Sequence, residues 1–200
     1  MQQTPTLVPH RPRVAILLFP DVEVLDWAGP YEVLAGAKDT AGDYCCQVIT
    51  VAQQPEVQCY GGVRVKPEIR LELCPALDAL IVPGGPGARG SGNQETLLRF
   101  IREQQRQSEI VASVCTGSFL LARAGLLDGH RATTHHQRRE LFRAEFPAIE
   151  LVEEKVVDEG SIITAGGISS GIDLALYLLQ RWFGPEVRRQ EARRLEGSWS

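Results

Sequence analysis

Residues 111–122 read VASVCTGSFLLA, and this stretch decides the fold. The apolar run 109–114 (EIVASV) has the length of a buried strand. The small residues Thr116, Gly117 and Ser118 follow it, and 116–124 has the composition of a helix that Gly125 ends. Cys115 stands at the joint. A sharp strand-to-helix turn holds a side chain at the end of a sheet, the place where open α/β folds bind ligands. The free N–H groups and positive dipole end of the following helix favour an anion there. The sequence thus predicts a stabilised Cys115 thiolate, a cysteine's ordinary pKa being about 8.5. The competing reading is an inert core cysteine, a common fate for a free thiol.

Working outward, the same alternation repeats. Strand-like runs fall at 13–19 (RVAILLF), 45–52 (CCQVITVA) and 77–82 (LDALIV), apolar at nearly every position as in a sheet covered on both faces. Helices are expected at 26–37, with Pro30 near the first turn, and at 94–105, 135–145, 170–183 and 185–196. Residues 63–73 alternate polar and apolar around Pro67 and read as an edge ribbon. Residues 151–157 and 161–164 read as a strand pair about the turn 158–160. Strands alternating with helices imply right-handed crossovers. The expected fold is a single-domain α/β three-layer sandwich, mostly parallel, of the flavodoxin-like type. Its domain spans 13–200, behind a flexible, proline-containing leader at 1–12.

With 200 residues, 44% hydrophobic and 23% charged, the chain suits one globular domain. A net charge of −4 carries no basic excess for nucleic acid and no pull toward anionic membranes. No apolar run has membrane-spanning length and the N-terminus lacks a signal-peptide core, so a cytoplasmic location is expected. Five cysteines, an odd number without a Cys-x-x-Cys pair, argue against a disulfide framework. Packing is the favoured reading of Cys45, Cys46, Cys59 and Cys74. The four histidines form no metal motif, and no metal or cofactor is expected. The arginine-rich end, PEVRRQEARRLE, interleaves glutamates and reads as a solvated helix with local ion pairs.

Three further segments can carry chemistry. In LIVPGGPG, 80–87, glycines after a buried strand let N–H groups approach a ligand and hold an oxyanion, although such turns are common in any fold. The spacing fits neither nucleotide-binding glycine motif. In LFPDVEVLDWAGPYEVL, 18–34, Asp26 lies at the mouth of a helix, where capping is the simplest role. In RATTHH, 131–136, His135 is either a general base for Cys115 or a structural hydrogen-bonding group.

Taken together, these segments and TAGGISSGIDLAL at 164–176 resemble the ThiJ/PfpI superfamily, the class I glutamine-amidotransferase-like fold, over about residues 13–183 in the right order. Within it the resemblance is greatest to isocyanide hydratases and to the sensor domains of AraC-type regulators. It implies Cys115 as nucleophile, Asp26 as its acidic partner and Thr116 as the residue following the nucleophile. Gly85, Gly117, His135 and Ile168 then form the substrate- and oxyanion-facing set. Thr116 stands where the superfamily's proteases carry histidine, which turns the reading away from proteolysis. His136 stands where the hydratases usually carry tryptophan. The regulator reading needs a further helix-turn-helix domain beyond residue 200, so a complete regulator is not expected. The resemblance implies hydration of a small isocyanide through covalent Cys115, with a homodimer as the expected assembly. Two alternatives are a ligand- or redox-sensing module and a glyoxalase- or deglycase-like activity on a small carbonyl.

Overall fold

The computed structural model describes residues 10–90 and 94–199. Most of the expected leader therefore lies outside the described residues. Of its end, His10 bonds Asp78, Arg11 bonds the Cys46 carbonyl, and the Pro12 carbonyl accepts from Gln47 N–H.

The first half of the chain runs β1 (Arg13–Leu18), α1 (Val24–Gly36), β2 (Gln47–Ala52), β3 (Val57–Gln58), β4 (Arg64–Val65), β5 (Ile69–Arg70), β6 (Ala79–Val82), α2 (Pro86–Arg89) and α3 (Glu95–Gln107). The second runs β7 (Ile110–Val114), α4 (Gly117–Arg123), β8 (Arg131–Ala132), α5 (Arg139–Glu145), β9 (Glu150–Leu151), β10 (Val156–Asp158), β11 (Ile162–Ala165), α6 (Ser170–Phe183) and α7 (Pro185–Arg194). Among the described residues the main sheet has seven strands in the order β10-β11-β7-β6-β1-β2-β5, parallel except for β10. This is the expected parallel α/β sandwich.

Each central strand is apolar on both faces because each face is covered. Ala15, Leu17, Leu80, Val82 and Val111 pack with Leu97, Phe100 and Phe119 of α3 and α4. The alternating residues Val14, Ile16, Ala79, Ile81 and Ala112 pack with Val33, Leu34, Leu174 and Leu178 of α1 and α6. On the first face Phe119 meets Phe142 edge-on at 5.0 Å between ring centroids. The chain leaves β1 toward β2 on one side and later returns to β6 on the other. The carboxyl ends of β1 and β6 thus flank the switch point where ligands bind in open α/β sheets.

Three expected elements differ. Helix α1 begins at Val24, so Pro30 lies inside it rather than in its first turn. The proline is accommodated where α1 crosses α6 closely: a Cβ on Gly171 would sit 3.0 Å from Pro30 Cδ. The expected ribbon 63–73 divides into β4, which closes a hairpin with β3, and β5, which joins the sheet edge beside β2; Pro67, which cannot donate to a ladder, separates them. The expected strand 151–157 divides into β9, paired with β8, and β10, paired with β11.

Candidate active site at the carboxyl ends of the strands

The turn after β7 is the strained element the sequence suggested. Cys115 has φ 57°, one of three non-glycine residues with positive φ among those described. A left-handed residue with a Cβ costs roughly 1–2 kcal/mol, and surrounding bonds must hold it. They do: Cys115 N–H faces the carbonyls of Ala165 (3.0 Å) and Gly166 (2.7 Å), beyond β11. The Cys115 carbonyl accepts from the hydroxyls of Ser118 (3.2 Å) and Thr134 (3.1 Å).

Asp26 lies in the first turn of α1, yet it does not cap the helix. The N-cap position is Glu23, and Asp26 is fully buried, its Oδ2 accepting from Gly84 N–H at 2.9 Å. Its Oδ1 has no partner of standard hydrogen-bond geometry, so the interaction of this carboxyl with the Cys115 thiol is a bent or long one. Burial raises the Asp26 carboxyl from 3.8 to about 7, aided by the charge of Glu23. The Gly84 N–H and the thiol oppose that rise.

The expected low thiol pKa is overturned. Burial, and after it the Asp26 carboxylate, push Cys115 up to about 12; the N–H and hydroxyl of Thr116 act in the opposite direction without prevailing. Desolvation outweighs the N-terminus of α4, which is only seven residues long. Asp26 and Cys115 therefore form a buried couple in which the thiol keeps its proton at neutral pH and the carboxyl titrates near it.

The glycines after β6 also differ from expectation. Gly85 N–H donates to Thr116 Oγ1 at 2.9 Å, and Gly84 N–H is engaged by Asp26. These donors hold side chains rather than an oxyanion. Thr116 Oγ1 also lies 3.2 Å from the Gly85 carbonyl, which ties this loop to the cysteine turn. Gly117 is buried, and a Cβ there would sit 2.0 Å from the Val82 carbonyl. Its need for glycine comes from the close approach of α4 to β6, and it is not among the residues lining the cavity.

Above the sulfur lies a cavity of about 210 Å³. It brings together Cys115, Thr116, Gly85, His135 and Ile168 of the predicted set, with Asp26 buried beneath. His135 starts a 3-10 turn at His136–Arg138, its Nδ1 accepting from Gln137 N–H at 3.2 Å, and it stacks on the exposed His136. Burial first, then the charges of His136, Arg138 and Arg89, push the His135 pKa down. His135 Nδ1 is taken up by Gln137 N–H, and no hydrogen bond joins the ring to Cys115 among the described residues, so the two share a cavity without forming a dyad. Sequence reasoning missed Arg89, Arg138, Glu23 and Tyr60 in the lining. Arg89 was visible in the glycine-rich loop after β6. Arg138 had no signal, because a turn, not a helix, carries it to the site.

The chain is similar to known proteins along most of its length. Residues 12–181 match the sequence profile of the DJ-1/PfpI family. The chain is 42% identical over 185 residues to an isonitrile hydratase of Pseudomonas putida, covering 92% of this chain and 78% of that protein. It is 29% identical to the HTH-type transcriptional regulator GbdR of Pseudomonas aeruginosa over 87% of this chain, and spans about half (47%) of that regulator's length. Its fold is similar to a ThiJ/PfpI family protein from Pseudomonas syringae, with a TM-score of 0.81 and 26% identity, covering 99% of this chain and 81% of that one.

Proposed function

Given that this chain belongs to the DJ-1/PfpI family, we propose that it is a cysteine-dependent hydratase that converts a small isocyanide into an N-substituted formamide. One observation carries the reading: a buried carboxyl that titrates near neutrality lies beneath a thiol opening onto a small cavity. The 42% identity to an isonitrile hydratase supports it.

The chemistry needs that couple. Cys115 Sγ bonds to the terminal carbon of the isocyanide. The thiol proton is given up through the Asp26 carboxyl, which delivers a proton to the same carbon. The product is a thioimidate, R–N=CH–S–Cys115. Water adds at that carbon, the C–S bond breaks, sulfur regains a proton and the formamide R–NH–CHO leaves. Thr116 N–H favours charge on the sulfur, and its hydroxyl fastens the cysteine turn to Gly85. Ile168, at the rim, supplies an apolar wall. The step uses no metal ion or organic cofactor, and we place the enzyme in the cytoplasm as a homodimer of a single 13–200 domain. A glyoxalase-like route needs a base at the sulfur, whereas His135 Nδ1 is taken up by Gln137 N–H.

The test is a panel of isocyanides, glyoxals and peptide amides with wild type and Cys115→Ala. Formamide release from an isocyanide, lost in Cys115→Ala, is expected. Turnover of a glyoxal or an amide in its place would overturn the reading.

A further inference from the structure

The cavity over Cys115 contains a pair of guanidinium groups to which the hydration chemistry gives no task. Arg89, at the end of α2, and Arg138, in the turn before α5, both line it. They are close enough that each charge bears on its surroundings: burial first and then Arg138 disfavour the charge on Arg89, Cys115 favours it, and both arginines add to the burial that disfavours a proton on His135. Two like charges held together by a fold are costly unless an anion lies between them.

Neither arginine has a carboxylate partner among the described residues, whereas Arg123, Arg131, Arg139, Arg181 and Arg194 each form an ion pair. The Arg89 Nε is buried and unpartnered. Glu23 also lines the cavity and pairs with neither arginine. The wall therefore holds two fixed positive charges against one negative, with planar donors whose fork matches a carboxylate.

We propose that Arg89 and Arg138 bind the carboxylate of the substrate, so that the preferred substrate is a small monoanion carrying its electrophilic carbon a few bonds from a carboxyl group. This deepens the hydratase reading by naming its substrate class, and for turnover it rests on that reading. The size of the cavity agrees: about 210 Å³ is below the roughly 300–1,000 Å³ of pockets for drug-sized ligands. Glu23 in the same wall disfavours a dianion such as phosphate, since the second negative charge would meet it.

The experiment needs no turnover. Iodoacetate and iodoacetamide are nearly isosteric and alkylate the same thiolate, so the ratio of their rates at Cys115 cancels the thiolate fraction. In wild type the iodoacetate-to-iodoacetamide ratio is expected to exceed that of the thiol of N-acetylcysteine amide by roughly tenfold or more, as suits a charge-assisted hydrogen bond. Arg89→Gln and Arg138→Gln should each return it most of the way, with circular dichroism unchanged. Arg138 is exposed and Arg89 half-buried, so at least one variant is expected to fold. A wild-type ratio equal to that of the free thiol, or one unmoved in both folded variants, overturns the proposal. The latter result would mean that the arginines act only on the thiolate.

Turnover separates the two readings. Isocyanoacetate should exceed its ethyl ester in kcat/KM by roughly tenfold in wild type, with the preference lost in Arg89→Gln. If the labelling ratio holds while no isocyanide is hydrated, the hydratase reading falls and the carboxylate site stands. If the ester is hydrated as well as the acid and the ratio is flat, the carboxylate site falls alone.

Discussion

Two acidic residues are buried among those described, Asp26 and Glu191, and the fold treats them oppositely. Glu191, on α7, meets Arg194 through both carboxyl oxygens, at 2.7–3.0 Å, and Glu32 of α1 shares the same guanidinium. Charge there is matched, and α7 is fastened to α1. Asp26, at the mouth of the sheet, has a single backbone N–H for one oxygen and a thiol nearby, and its carboxyl is raised to about 7. A buried carboxylate without a cation costs several kcal/mol unless it takes a proton. The first region spends its acid on structure, whereas the second retains an uncompensated one beside a nucleophile. That difference marks the functional end of the molecule more clearly than any single motif.

The sharpest break of the comparison is Asp26→Asn, which should separate function from stability. Turnover of an isocyanide is expected to fall by roughly 10²–10⁴, the usual worth of a positioned acid. Stability at pH 8 should rise. The folded carboxyl takes up its proton at about 7 and the unfolded one near 3.8, so its stabilising contribution is complete below 3.8 and is lost as pH climbs through 7. That difference bounds the gain for the asparagine at roughly 4 kcal/mol at pH 8, shrinking toward zero by pH 4. Urea melts of both proteins across this range are the measurement. A variant destabilised at pH 8 would mean that Asp26 is a structural carboxylate like Glu191.

Glu191→Gln gives the opposite sign and a smaller size. It removes the charge from a pair whose arginine keeps Glu32 and is 42% exposed, so solvent softens the loss. A destabilisation of about 1–2 kcal/mol is expected, with turnover unchanged. Loss of turnover at full stability would show that the α1–α7 joint reaches the site.

How much of this was legible from residues alone follows the same division. The buried strands and the elbow at Cys115 depend on local patterns, and they stand in the structure; Asp26 read locally as a helix cap, and only the family resemblance put it beside Cys115. The thiol's direction of shift was not legible. A helix N-terminus can be read from a sequence, but the burial that overrides it is tertiary: Ala165, Gly166 and Thr134, distant in the chain, clamp the Cys115 backbone. The glycines misled in a similar way. Gly84 and Gly85 were read as open donors, although side chains from α1 and the cysteine turn already occupy them. Arg138 was hidden because it sits in a turn before α5, where an unbroken helix over 135–145 was expected.

The smallest expected effect belongs to His135, and it tests whether the couple is complete without a third member. In a cysteine–histidine dyad the imidazole lies within about 2.6–3.2 Å of the sulfur and governs its proton. Here His135 Nδ1 is occupied as the acceptor of Gln137 N–H, and the ring stacks on His136 at 4.5 Å between centroids. Its lowered pKa keeps it neutral at pH 7, so it adds no cation for a thiolate. His135→Ala should therefore change kcat/KM by less than about threefold, within the scale of a lost neutral hydrogen bond. The same variant should leave the pH profile set by Asp26 in place, with activity declining as pH rises through about 7 and the donor proton is lost. If His135→Ala were as damaging as Cys115→Ala in a folded protein, or if it moved that decline, the proton would travel through the imidazole, and Asp26 would be a spectator to a Cys115–His135 dyad.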